Sequence, residues 1–330
     1  MDRICVVGLG AIGGFVAHRL VESGAPVSAL LRGESLVAVR EHGLRLREAG
    51  EGGRGRAVPI RAAAAAAELG PQDLVILALK TTALSSVAPR IAPLIGPDTV
   101  VLSAMNGVPW WFFHGLDERR RGTRLESVDP DGEIGRAIPP RHVVGAVVHM
   151  AASCPEPGLV QHGFGDRFIV GEPGGAASAR LDAIARLLRD ARLGVETSSG
   201  IELDVWLKLW GNMTMNPVSA LTGATLDRIL DDPLVRRLVS DAMVEGAAIG
   251  AALGLPIGMT PEARHEVTRK LGAVKTSMLQ DVEAGRPIEL DALVGSVSEL
   301  ARLVGIDAPN VDALLGLTRL FARGRGLYPG

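Results

Sequence analysis

VVGLGAIGG, residues 6–14, decides the fold. Gly8, Gly10 and Gly13 stand in G-x-G-x-x-G spacing, directly after the apolar run Ile4 to Val7 and at the start of a helical pattern over Ala11 to Ser23. In that helix Phe15, Val16, Leu20 and Val21 form the apolar stripe. The three glycines have separable tasks: Gly8 makes the tight turn, Gly10 lets the backbone approach a pyrophosphate, and Gly13 lets the helix pack close to the strand. The helix N-terminus then offers its free N–H groups to phosphate. The stretch Gly8, Leu9, Gly10, Ala11, Ile12 and Gly13 is therefore the candidate cofactor cradle. The plainer reading is a glycine-rich turn that binds nothing; the strand before it and the helix after it favour a dinucleotide.

Outward from this loop the alternation continues. Pro26 to Leu31, Val58 to Ile60, Leu74 to Leu79, Thr99 to Leu102 and Val143 to Val148 read as strands, with an alanine-rich helix expected at Ala62 to Ala67. Leu159 to His162 and Phe168 to Gly171 read as short strands, antiparallel in expectation, and Ala179 to Asp190 as a helix. Strands this apolar belong to a parallel sheet covered on both faces. From about Ser199 the character changes to helices at Ile201 to Ser219, Pro233 to Gly254, Pro261 to Glu283, Glu289 to Val304 and Val311 to Phe321. The expected architecture is an α/β, Rossmann-type dinucleotide-binding domain (1–198) followed by an all-α domain (199–330). The tract REAGEGGRGR (47–56) reads as a loop.

Composition removes several classes of function. The 330 residues are 47% hydrophobic and 22% charged, with a net charge of −2, so nothing global attracts nucleic acid or an anionic membrane. The densest basic run, Arg119 to Arg121, follows Asp117 and Glu118 and reads as a solvated loop. Cys5 and Cys154 make neither a disulfide framework nor a zinc spacing, which fits a reducing, cytoplasmic setting. No stretch reaches the roughly 18 apolar residues of a membrane span, and the glycines interrupt any signal-like run at the N-terminus. The seven histidines show no ligand spacing, so no metal is expected.

Three strand ends carry polar groups where ligands bind in such sheets. The second strand ends Leu30-Leu31-Arg32-Gly33; a guanidinium in place of the usual acid suits a 2′-phosphate and argues for NADP(H). The competing reading is Glu34 as the ribose-binding acid in a shifted register, which would suit NAD. Lys80 follows Leu79 and suits cofactor phosphate; its plainer reading is a surface lysine. Asn106 follows Met105 and suits the nicotinamide ribose or the substrate; its plainer reading is an Asn-Gly turn.

WLKLWGNMTMNP (206–217) sets Lys208, Asn212 and Asn216 four residues apart. On a helix each step of four adds about 40° of net rotation and about 6 Å of rise, so the three form one polar stripe, with Trp206, Leu209, Trp210 and Met213 on the flanks. Such a stripe most often faces water; buried, it needs partners, and a polar substrate is one. Pro217 is expected to end or kink the helix. KTSMLQDVEAGRPIELD (275–291) adds Ser277, a donor for a carboxylate, and Glu289, an acid that can orient a lysine or a hydroxyl.

These motifs, in this order, resemble the ketopantoate reductase (2-dehydropantoate 2-reductase) family over nearly the whole chain: GLGAIGG, ALLRGE, LALKT, AMNGV, the K-x-x-x-N-x-x-x-N-P run and SMLQDVEAGRPIELD. The resemblance implies NADPH-dependent reduction of a 2-oxo acid to a 2-hydroxy acid, with ketopantoate to pantoate as the reference reaction. By position it makes Lys208 the catalytic lysine and Glu289 the essential glutamate. Asn106, Asn212, Asn216 and Ser277 fall at substrate contacts, and Arg32 and Lys80 at the 2′-phosphate. The lysine would lie on the helical domain and the cofactor on the other, so closure would bring them together and exclude water. Two departures stand out. Val274 occupies a position where the family often has asparagine, and the segment from Pro109 to Pro140 is long and carries Trp110, Trp111, Phe112 and Phe113. Those aromatics fit a core, a subunit contact or a narrowed substrate cleft. The competing readings are a reductase of another oxo acid or imine on the same scaffold, and an NADPH-sensing protein without turnover. A helical domain of this kind is compatible with a homodimer.

Overall fold

Short runs such as ICVV and LVIL have one stable use, the interior of a parallel sheet. In the computed structural model, which describes residues 1–329, every residue of both runs is buried. The chain forms two compact units. The first comprises Met1–Met105, Phe113–Arg121 and Gly132–Ile201; the second comprises Asn106–Phe112, Gly122–Asp131 and the chain from Glu202 onward.

The first unit is a ten-stranded mixed sheet. Its strands are β1 (Ile4–Val7), β2 (Val27–Leu30), β3 (Leu44–Arg47), β4 (Arg56–Val58), β5 (Arg61–Ala63), β6 (Leu74–Leu77), β7 (Val100–Ser103), β8 (Val143–Glu156), β9 (Leu159–Gly171) and β10 (Gly194–Ser198). The path runs β4-β3-β9-β8-β7-β6-β1-β2-β5, with β10 also on β9. β1 pairs in parallel with β2 on one side (Ile4 opposite Val27) and β6 on the other (Ile4 opposite Leu74). The order of strands therefore reverses at β1, the place where sheets of this kind take ligands beyond their carboxyl ends. Helices α1 (Ala11–Glu22), α2 (Gly33–His42), α3 (Thr81–Val87), α4 (Glu133–Ala137) and α5 (Ala179–Asp190) complete the unit. Phe15, Val16 and Leu20 of α1 and Ile184 and Leu188 of α5 enter the same core as Val6, Ile76 and Leu102. Cys5 is buried in β1, which pushes its thiol up to about 11, so it is an inert core thiol.

Several sequence expectations need correction here. Ala62 to Ala67 is not a helix. Ala62 and Ala63 extend β2 as β5, pairing with Ala29 and Leu30, because an open sheet edge outweighs alanine's helix preference, and only Ala66–Glu68 makes a 3-10 turn. The strand expected at Val58 to Ile60 is instead divided between β4 and β5. The sheet is mixed rather than parallel throughout: β8 and β9 form one long antiparallel hairpin that absorbs the two short strands expected after Gly158, and β3 pairs antiparallel with β4.

The second unit is helical: α6 (Ile201–Thr222), α7 (Leu226–Asp231), α8 (Pro233–Ala252), α9 (Pro261–Arg269), α10 (Ser277–Glu283), α11 (Ser296–Val304) and α12 (Pro309–Arg323). Pro217 lies inside α6 and does not end it. The single helix expected over Pro261 to Glu283 is two, broken where Gly272 turns at φ +71° and Thr276 caps α10 through Leu279 N–H. The helix expected from Glu289 opens as a π-helical turn over Asp291–Gly295 before α11. α6 packs on α8 through size complementarity: a Cβ at Gly246 would stand 2.2 Å from Met213 Cε, and one at Gly250 2.2 Å from Trp206 Nε1. Trp210 Nε1 donates to Met243 O at 2.6 Å. Trp111 and Phe112 are buried, and Phe112 lies 6.4 Å from Trp206, which places these aromatics in a core. Among the described residues no helix is long and apolar enough to cross a membrane.

Candidate active site

In the first unit, the geometry at β1 gives each glycine a distinct reason. Gly8 turns at φ +89°, and a Cβ there would meet Leu79 Cδ2 at 2.5 Å. A Cβ at Gly13 would stand 2.0 Å from Gly8 O and 2.9 Å from Ala78 Cβ, so α1 can approach the strand ends only without a side chain. Gly10 is different: nothing lies within 4 Å of its Cβ position. That glycine leaves open space at the N-cap of α1, whose first turn has no side-chain cap, which is what a cradle for pyrophosphate requires. The loop after β6 lies against the same turn, since Ala78 and Leu79 bound Gly13 and Gly8; Lys80, exposed, caps α3 two residues on. Arg32 stands at the N-cap of α2 at the end of β2, exposed and with no partner for its guanidinium among the described residues. These residues fit a dinucleotide carrying a phosphate on its adenosine ribose.

In the second unit, α6 turns Trp206, Trp210 and Met213 toward α8. Those positions lie roughly 140–200° around the helix from Lys208, so the polar stripe occupies the opposite side. Lys208 Nζ donates to Asn106 Oδ1 at 2.8 Å, a pairing across 102 residues of sequence. Burial pulls its ammonium down from 10.5 to about 8, against the Glu289 carboxylate, whose charge raises it. Asn216 and Glu289 are each 4% exposed. Asn212 and Ser277 are half-buried, Ser277 in the first turn of α10. The side chains of Asn212, Asn216 and Ser277 make no hydrogen bond to any described residue. None of their polar atoms is sealed from solvent, so these amides and the hydroxyl stand open to a bound polar molecule.

The supports of this constellation were not singled out in the sequence. Gly107 turns at φ +79°, and a Cβ there would stand 2.4 Å from Ala292 O. Val108 N–H donates to that same carbonyl at 3.0 Å, and Ser296 Oγ donates to it at 2.8 Å. The π-helical turn therefore holds the Asn106 loop by one backbone oxygen, two to three residues beyond Glu289. The Asn-Gly dipeptide was the only sequence sign of it. On the other side of Glu289, Ile288 N–H donates to Leu327 O at 3.1 Å, and Tyr328 Oη donates to Asp291 Oδ1 at 2.6 Å. Burial and that carboxylate push the tyrosine up to about 12. Glu299 on α11 accepts from Glu126 N–H (2.8 Å), Ser127 N–H (3.0 Å) and Ser127 Oγ (2.6 Å), pinning the Gly122–Asp131 segment. Val274 contributes its backbone carbonyl to Leu226 N–H at 3.0 Å. Among the described residues no group of three or more His, Cys, Asp and Glu is placed to hold a metal.

Two family models cover most of the chain. Residues 4–175 match the model described as ketopantoate reductase PanE/ApbA, and residues 200–322 match the one described as ketopantoate reductase PanE/ApbA C terminal. A 2-dehydropantoate 2-reductase of Mesorhizobium japonicum is 45% identical over 327 residues, 99% of each chain. The crystal structure of a protein from Ralstonia solanacearum MolK2 is 55% identical, with a TM-score of 0.94 over 99% of this chain and 100% of that one. That of a 2-dehydropantoate 2-reductase from Geobacter metallireducens is 28% identical, with a TM-score of 0.84 over 97% and 99%.

Proposed function

Because this chain belongs to the ketopantoate reductase family, we propose that it reduces 2-dehydropantoate (ketopantoate) to pantoate with NADPH, using Lys208 as the general acid. One observation carries the reading: a desolvated lysine, oriented by Asn106 and balanced by Glu289, stands on the same helix face as two amides that lack partners among the described residues.

When bound, NADPH supplies the hydride that reduces the carbonyl carbon. Negative charge then develops on the carbonyl oxygen, and the Lys208 ammonium neutralises it and delivers a proton. Asn106 fixes the direction of that ammonium through the hydrogen bond it accepts. Glu289 opposes the loss of the lysine's proton that burial favours, and so helps to keep the acid charged. Asn212 and Asn216 hold the substrate hydroxyl, and Ser277 donates to its carboxylate. Gly8 to Gly13 cradle the pyrophosphate, while Arg32 and Lys80 answer the 2′-phosphate.

The deciding experiment is NADPH oxidation by the purified protein with ketopantoate, beside NADH and a panel of other 2-oxo acids. Rapid turnover of ketopantoate supports the proposal; tight NADPH binding with turnover of only another oxo acid replaces the substrate.

Two predictions belong to this chemistry. Arg32→Ala should raise the KM for NADPH about 10- to 100-fold, the loss of a charge-assisted contact, and leave the KM for NADH nearly unchanged. An equal effect on both cofactors would remove Arg32 from the 2′-phosphate. The acid must be protonated to act, and its pKa in the protein is about 8. The pH profile of kcat/KM, which reports the free enzyme, should therefore be flat below that value and fall as pH rises through it. A profile flat to pH 10, where an ordinary lysine titrates, would show that Lys208 does not deliver the proton.

A further inference from the structure

Glu289 is held on both sides by one short segment far along the chain. Immediately before it, Ile288 N–H donates to Leu327 O at 3.1 Å; two residues after it, Asp291 Oδ1 accepts from Tyr328 Oη at 2.6 Å. Leu327 and Tyr328 are consecutive, so a single element fastens the chain at each end of the glutamate. The Glu289 carbonyl accepts from Leu293 N–H at 3.3 Å, within the π-helical turn. Ile288, Glu289 and Leu290 are buried, and Tyr328 is half-buried.

The fastening segment is itself anchored. Leu327 is buried, and its N–H donates to Ala322 O at 2.9 Å. Arg323 donates from Nε to Pro329 O at 3.0 Å and lies over the Tyr328 ring, 5.6 Å from its centroid. At the other end of the bond, burial raises the pKa of Asp291, while the phenol and the charges of Arg319 and Arg323 oppose the rise. The phenol is pushed up to about 12, so it keeps its proton, and remains a donor, while Lys208 titrates near 8. The turn that begins at Asp291 reaches the lysine by two routes. Ala292 O receives the N–H of Val108, two residues beyond the Asn106 that accepts from Lys208. Glu289 supplies the charge that opposes the lysine's loss of its proton. Both influences on Lys208 therefore meet at the stretch that Tyr328 fastens.

We propose that Tyr328 is a positioning residue of the reductase: through its hydrogen bond to Asp291 it holds the Glu289 turn and the Asn106 loop in place against Lys208. The proposal rests on the reductase reading above and deepens it. The hydroxyl is the part that matters. Phenylalanine would keep the ring and its contact with Arg323, but would leave a partly buried carboxylate without its donor. Asp291 then turns toward water or toward Arg319 and Arg323, and the first residue of the π-helical turn moves with it. Loss of the Glu289 charge and loss of the Asn106 acceptor both disfavour the ammonium, so either displacement lowers the pKa of Lys208.

The test is Tyr328→Phe. With ketopantoate, kcat should fall about 10- to 100-fold while KM and NADPH affinity stay nearly unchanged. The alkaline limb of the kcat/KM–pH profile should move down by about half to one pH unit. Asp291→Ala severs the same bond from the other side; it should reproduce both effects and serves if Tyr328→Phe fails to fold. Asp291→Asn keeps an oxygen that can accept from the phenol, and should hold the limb near its wild-type position. A role confined to folding gives another pattern: Tyr328→Phe melts lower, yet kcat and the limb match the wild type. That result overturns the proposal, as does a limb that Asp291→Asn moves as far as Asp291→Ala does. The lysine can also be followed without turnover. The chain has four lysines, Lys80, Lys208, Lys270 and Lys275, so magnetic resonance of protein isotope-labelled at lysine resolves Lys208, identified by its loss in Lys208→Ala. Its titration midpoint should drop in Tyr328→Phe and hold in Asp291→Asn. If the wild type turns over no ketopantoate but the midpoint drops in this way, the reaction assigned above fails and the positioning role stands.

Discussion

Lys208→Ala should lower kcat about a thousandfold while leaving NADPH binding intact. The size follows from two roles held by one group: neutralising charge on the carbonyl oxygen and delivering the proton, which together span about two to four orders of magnitude. The specificity follows from position. Lys208 sits in the helical unit with Asn106 and Glu289, whereas the glycine loop, Arg32 and Lys80 belong to the sheet unit. Titration of NADPH against the variant, followed by nicotinamide fluorescence, should therefore match the wild type. Undiminished turnover would remove Lys208 from the mechanism; loss of NADPH affinity would mean that the lysine holds cofactor. A protein that only sensed NADPH would be indifferent to the change.

Gly107→Ala should be nearly as damaging although Gly107 touches no reacting atom. Alanine at φ +79° costs about 1–2 kcal/mol in backbone strain alone. Its Cβ would also press on Ala292 O at 2.4 Å, a backbone atom that no rotamer change can move aside. We expect a loss of about 2–4 kcal/mol in stability, read as a lower denaturant midpoint. The loop must shift to relieve the contact, and Asn106 shifts with it. Displacement of a positioning group by about 1 Å is enough for a hundredfold loss in kcat. Lys208 also loses an acceptor that favours its charged form, so the alkaline limb of the kcat/KM–pH profile should move to lower pH. A variant that is destabilised yet keeps both kcat and the limb would show that the Asn106 hydrogen bond is dispensable.

The sequence was most legible where local pattern and burial agree. The strands β1 and β6 are apolar throughout because both faces are covered, and the glycine loop declares itself by spacing. The polar stripe on α6 was legible for the same reason, because four-residue spacing maps onto one helix face. What escaped was set by partners distant in sequence. Ala62 and Ala63 became a strand because β2 lay open beside them, and β3, with its alternation LRLR, needed β9 and β4 to define it. The pairing of Lys208 with Asn106 could be suspected only from the family resemblance, since the two stand 102 positions apart and nothing between them encodes it locally. Gly107 looked like any Asn-Gly turn.

The discontinuity of the helical unit has a consequence for the order in which the protein is made. Asn106 leaves the ribosome 102 residues ahead of Lys208, and Ser127 172 residues ahead of Glu299. At roughly 5–20 residues per second, these segments wait several seconds or more for their partners, and β8, β9 and β10 are made in the interval. The unit that carries the lysine is thus finished last from pieces released early, and a chain begun at Glu202 could not finish it. Such a fragment would leave Lys208 without its acceptor, Ala292 O without the Val108 amide, and Glu299 without the amides it binds.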